Sequence, residues 1–106
     1  MSSLEQSDKE AAAHAVAPRV TLADINTAIK DTYYISGGAI SGKARHTTLT
    51  ICMVELHNGW TAIGKSAPVS PENFNEEFGK KLTYEDCIRQ LWPLMGFALI
   101  EKLAHG

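Results

Sequence analysis

The chain has 106 residues, 44% of them apolar and 21% charged, which suits one packed domain and leaves little room for two. Its formal net charge of −2 argues against a whole-protein attraction to nucleic acid or to an anionic membrane. Cys52 and Cys87 have no close partners, which argues against a disulfide-stapled secreted domain, and no stretch approaches the roughly 20 apolar residues that span a bilayer.

The N-terminus is acidic and lacks the apolar run of a leader peptide, so the expected compartment is the cytoplasm, the host's if the protein is viral. Residues 1–18 are polar and alanine-rich and end in Pro18, a composition that reads as a disordered tail or a frayed helix. The remainder, 19–106, reads as a single α+β domain.

Thr21 opens the first ordered element, because Thr21 and Asp24 stand at capping-box spacing and Leu22, Ile25, Ala28 and Ile29 recur at helical intervals. This short N-terminal helix is predicted to reach about Asp31. The β-branched and aromatic run Thr32-Tyr33-Tyr34-Ile35 then predicts a strand. Residues 36–47 contain three glycines, two serines, Lys43, Arg45 and His46, and predict a flexible basic loop.

Residues 48–57 predict a second strand. Asn58-Gly59 between it and Trp60–Lys65 is a strong hairpin signal, read as a two-residue type I′ turn. That turn would set Val54 against Ile63 and Cys52 against Lys65. Both faces of the strand are apolar, which places it centrally in a small antiparallel sheet of about three strands. Ser70-Pro71-Glu72 predicts a helix start, and Phe74, Phe78 and Leu82 form one stripe. Thr83 then opens a second capping box, where the helix either breaks or runs through, and Pro93 inside the last apolar stripe predicts a kink near residues 89–93; the expectation is C-terminal helices packed on the sheet.

Asn58-Gly59-Trp60, Gly64-Lys65-Ser66-Ala67, Ser70-Pro71-Glu72-Asn73-Phe74, Gly79-Lys80-Lys81 and Leu91-Trp92-Pro93-Leu94-Met95-Gly96 with Leu99 carry a resemblance. In order and spacing they resemble a small tailed-phage protein family typified by gene product 49 of a lytic coliphage and gene product 66 of a Shigella phage, over roughly residues 19–103. The resemblance implies a phage origin. It implies no activity, so no residue inherits a role from it.

Catalytic constellations are missing from the sequence. Gly37-x4-Gly42-Lys43 has part of a phosphate-loop spacing, but Ala44 replaces the metal-binding hydroxyl and a strand follows where a helix is needed. His14, His46, His57 and His105 lack the spacing of metal ligands, and neither cysteine has a base nearby in sequence, so the expectation is no catalytic residue, no metal and no cofactor. The cysteines read as small buried hydrophobes.

The middle of the chain is its only part with positive excess: residues 18–69 hold five basic and three acidic groups. Gly42, Lys43, Arg45 and His46, joined by Lys65, therefore form a candidate anion-binding site, with Trp60 as a stacking group that would have to arrive across a subunit interface. The reading is a non-catalytic phage-encoded binding protein acting on a host component, either a host protein or a host-made nucleotide-like small molecule, for instance in counter-defence. The alternative is a nucleic-acid-associated accessory module of phage replication or recombination, which the net charge and the lack of a basic stripe count against. The apolar stripe from Phe74 to Leu103 would be about 45 Å long as one helix, longer than a globule of this size is wide, so a homo-oligomer is expected.

Overall fold

The computed structural model describes residues 3–15 and 17–106. Its centre is β2 (Thr50–Leu56), flanked on one side by β1 (Ile29–Ser36) and on the other by β3 (Thr61–Ser66), all antiparallel. Thr50, Cys52, Val54 and Leu56 alternate onto one face and are buried, while Met53 between them is exposed. A single helix, α4 (Glu76–His105), lies across the buried face. Ile25, Cys52, Val54, Leu56, Ala62, Cys87, Ile88 and Leu91 make the core. The α+β class, the short helix before the sheet and the helix packed on it are as the sequence predicts.

The hairpin register differs by one residue from the two-residue turn. Leu56 N–H donates to the Trp60 carbonyl at 2.8 Å and Gly59 N–H to the Leu56 carbonyl at 2.9 Å. The loop is thus His57-Asn58-Gly59, with Gly59 alone at positive φ (91°). This is a tight turn followed by a left-handed glycine bulge. Val54 therefore faces Ala62, and Cys52 faces Gly64. The slip has a cause on the buried face: the two-residue register would turn Ile63 and Lys65 toward α4, burying an ammonium where Ala62 and Gly64 now fit. A Cβ on Gly64 would overlap the Thr83 carbonyl oxygen, so the glycine sets how closely α4 approaches the sheet.

The first sheet helix, α2 (Leu22–Ala28), has the capping box: Thr21 Oγ1 accepts from Asp24 N–H at 3.0 Å, and Asp24 returns the bond to Thr21 N–H at 2.8 Å. It stops at Ala28 rather than near Asp31, because Ile29 already pairs with Leu56 in the sheet.

Of the two courses open at Thr83, α4 takes the continuous one and runs as a single helix through Thr83 and Pro93. Thr83 is fully buried and its hydroxyl donates to the Lys80 carbonyl at 2.9 Å, inside the helix, instead of capping a new one. Ser70-Pro71-Glu72 yields only a 3-10 turn, Pro71–Asn73, and the cap of α4 is Asn75, whose side chain accepts from Phe78 N–H at 2.9 Å. Phe74 consequently lies ahead of α4, outside the stripe predicted for it. Two side chains of α4 also cover the outer edge of β3. Asp86 accepts from Lys65 N–H at 3.1 Å, and Gln90 donates to the Ile63 carbonyl at 2.7 Å.

Where the composition reads as a disordered tail, residues 3–14 form a helix, α1 (Ser3–His14), with no buried residue of its own. Asp8 tethers it: its carboxylate accepts from Arg19 Nη1 at 2.9 Å and from Leu22 N–H at 3.1 Å. Among the described residues no helix is long and apolar enough to cross a membrane.

Candidate functional site

The predicted loop at 36–47 is an ordered corner. Ser36 caps a short helix, α3 (Gly37–Ser41), by accepting from Ala39 N–H at 3.1 Å, and Gly42 ends it in the left-handed conformation at φ 75°. A 3-10 turn, Ala44–His46, follows. The amides that an anion nest would need are largely spent inside the segment: Gly37 N–H bonds the Leu49 carbonyl, Gly42 the Gly38 carbonyl, Lys43 the Ser41 hydroxyl and His46 the Lys43 carbonyl. Gly37 and Gly38 serve close packing, since a Cβ would meet the His46 carbonyl oxygen at 2.7 Å and Thr47 Cγ2 at 2.6 Å respectively. Ser41 Oγ lies 2.6 Å from His46 Nδ1, so the imidazole is held within the corner.

Of the candidate residues, Gly42, Lys43, Arg45 and His46 are thus gathered on this corner, with the Lys43 and Arg45 side chains exposed. Lys65 sits on the outer sheet face, in a row with Ile35 and Ile51. Trp60 stands at the hairpin end, opposite Leu56, and is half exposed. It is at the other end of β2 from the corner.

Beside the corner the structure builds a cleft that the sequence did not single out. The end of β1, Thr47, Thr50 and the start of α4 enclose a cavity of about 370 Å³, lined by Tyr34, Ser36, Thr47, Thr50, Phe74 and Lys80 among others. A second hollow of about 220 Å³, lined by Ser66, Asn73, Phe78 and Leu82, shares Phe74 with it. Gly79 lets α4 come close at this point, as its Cβ would lie 2.9 Å from Thr50 Oγ1. Lys80 Nζ stands 5.6 Å from the Tyr34 ring centroid and 3.6 Å from Glu76 Oε1. Burial pushes the Tyr34 phenol up, so it is a hydrogen-bond donor at neutral pH. Phe74 read as core from its spacing. The signal that it belongs elsewhere was Asn75, as good a helix cap as Ser70 and followed at once by Glu76 and Glu77, which suit the positive end of a helix.

Both thiols are buried and inert. Burial, and then the neighbouring Cys87, pushes Cys52 up to about 12, and burial likewise raises Cys87, whose sulfur lies 3.7 Å from the Cys52 carbonyl oxygen. Among the described residues no group of three or more His, Cys, Asp or Glu side chains is placed to hold a metal ion.

The architecture is therefore a small α+β domain, a three-stranded sheet backed by one long helix with a mixed polar and aromatic cleft at one corner. The chain belongs to the phage protein family named for N4 Gp49 and phage Sf6 gene 66, whose family model matches residues 20–103. No curated protein and no solved structure matches it significantly.

Proposed function

We propose that this chain is a non-catalytic phage binding protein that takes up a small anionic, nucleotide-like molecule in the Phe74 cleft, within the cytoplasm of the host. The observation that carries the reading is the meeting of Tyr34, Phe74 and Lys80 in one cavity of about 370 Å³, within the volume range of small-molecule sites. Each has a part in holding such a ligand. Phe74 and Tyr34 offer ring faces for a base, and Ser36, Thr47 and Thr50 offer hydroxyls for a ribose or phosphate. Lys80 supplies a cation whose ion-pair partner among the described residues, Glu76, also lines the cavity one helical turn away; the pairing is exposed and weak, and a phosphate would have to displace that carboxylate. Lys43 and Arg45 extend positive charge from the adjoining corner.

The inert thiols support a binding role over covalent chemistry. Sequestering a host-made nucleotide signal, a form of counter-defence, is a task that needs only such binding. The accessory role on nucleic acid is disfavoured, because the net charge is −2 and the sequence carries no basic stripe.

Calorimetry with a panel of mono-, di- and cyclic nucleotides tests the reading. Binding by the parent is expected to weaken about ten- to a hundredfold in Lys80→Ala, the loss of one charge-assisted bond of about 1.5–3 kcal/mol. Lys43→Ala with Arg45→Ala is expected to weaken it again. No heat with any nucleotide would overturn the ligand class and return weight to a host protein as target.

A further inference from the structure

The open face of the sheet is not the polar surface that an antiparallel sheet usually turns to water. α4 covers the face that carries Cys52 and Val54, so the alternate residues of the three strands point the other way. The register lays them out in three rows. Tyr33, Met53 and Ile63 form the middle row, Ile35, Ile51 and Lys65 one end row, and Asp31, Glu55 and Thr61 the other. The five apolar members adjoin one another, and Tyr33, Ile35, Met53 and Ile63 stand 52%, 44%, 38% and 60% exposed. A contiguous apolar patch rimmed by polar groups marks an interaction surface.

We infer that this face is covered by the same face of a second copy, the two sheets packing against each other about a two-fold axis through Met53. Charge and area both select a second copy.

The charges come first. Asp31 and Glu55 stand directly opposite on neighbouring strands, an arrangement of like charges that opposes pairing, and neither has an ion pair among the described residues. Lys65, at the far corner of the same face, has none either. Strands lie about 4.8 Å apart and alternate residues about 6.8 Å apart, so Asp31 and Lys65 are separated by about 17 Å with Met53 midway. A two-fold axis through Met53, lying in the face and perpendicular to that diagonal, sets Lys65 of each copy on Asp31 of the other, with Glu55 beside it. The strands of the two sheets then cross steeply, the orthogonal class of sheet packing. The face is thus its own electrostatic complement, as a two-fold interface requires.

Area agrees. At these exposures the nine side chains offer on the order of 600 Å² per copy, all on one face, so two copies reach the lower bound of about 1,200 Å² for a specific interface. Lys80 and the rest of α4 lie on the other side of the sheet, so the inference does not depend on the ligand reading.

Sedimentation equilibrium of the full chain across micromolar concentrations tests it. The parent is expected as a reversible dimer of twice 11.5 kDa. The same rotation brings Ile63 beside Glu55 of the other copy, so Ile63→Glu should weaken association about a hundredfold, while the melting transition of this exposed-site variant is kept. Lys65→Glu, and separately Asp31→Lys with Glu55→Lys, should each weaken self-association about tenfold. Mixing those two variants should restore a dimer to within about threefold of the parent, because every charge contact across the axis is then opposite in sign. Damage to the fold of one copy cannot produce recovery on mixing. A parent that stays at 11.5 kDa overturns the inference and leaves the face to an unlike chain. A dimer indifferent to Ile63→Glu overturns it as well, as do charge variants that stay apart when mixed.

Discussion

A methyl group on Gly64 would overlap the Thr83 carbonyl oxygen and stand 3.0 Å from the Cys87 sulfur. Neither neighbour can retreat cheaply, since one is helix backbone and the other a fully buried side chain. Gly64→Ala is therefore expected to destabilise the fold by about 2–4 kcal/mol, read from the midpoint of urea unfolding. Gly59 provides the contrast. It has a φ of 91° with open space around it, so only backbone strain is at stake and Gly59→Ala should cost about 1 kcal/mol. Equal losses at the two positions would contradict the packing of α4 against β3. The two glycines look alike in the sequence. Asn58-Gly59 announces a turn, whereas the need at Gly64 arises from a helix twenty residues away.

At the scale of elements, what local chemistry dictates was legible and what packing decides was not. The capping box at Thr21 and Asp24, the hairpin around Gly59, the central place of β2 and the helical stripe through Ile88 and Leu91 all follow from neighbours in sequence. The one-residue register slip does not, because it depends on which side of β3 must be thin beneath α4. The Phe74 cleft was hidden for the same reason: Tyr34, Thr50, Phe74 and Lys80 come from three separate stretches. The tether of α1 was also invisible, since Asp8 and Arg19 are separated by Pro18 and nothing local pairs them. Its carboxyl is held below the ordinary carboxylate value chiefly by the Arg19 hydrogen bond, with the Leu22 amide adding and part-burial opposing. A lowered folded-state value means that the tether contributes fully above the ordinary carboxylate range and is lost as pH falls through the lowered value. Acid titration followed by NMR should therefore release the amides of residues 3–14 before those of β2. At neutral pH Asp8→Ala should speed proteolysis within that segment while costing the core only about 1 kcal/mol. Simultaneous loss of α1 and β2 would show that the helix is integral to the core.

The whole molecule is longer than its size requires. Its extents are 52 × 29 × 17 Å and its radius of gyration is 16.2 Å, against about 13 Å for a compact chain of this length. The excess follows from α4, whose 30 residues span about 45 Å while the three strands it lies on are six to eight residues long. All eight core residues lie at or before Leu91, so the sheet and the first half of α4 close the core without the overhang. Trp92 still matters at the boundary, because its ring packs on the core and Nε1 donates to the Val20 carbonyl at 3.3 Å. A chain ending after Gly96 keeps Trp92 and Met95 and removes Phe97, Ile100 and Leu103, side chains that stand 59–65% exposed. Exposed apolar groups contribute little to the fold of one copy, so this truncation should retain a single cooperative transition and lose no more than about 1–2 kcal/mol. It should keep the amide spectrum of the sheet and any nucleotide binding at the Phe74 cleft. Loss of cooperative folding on truncation would show instead that the overhang is part of one core, and that the elongated shape is a requirement of the fold.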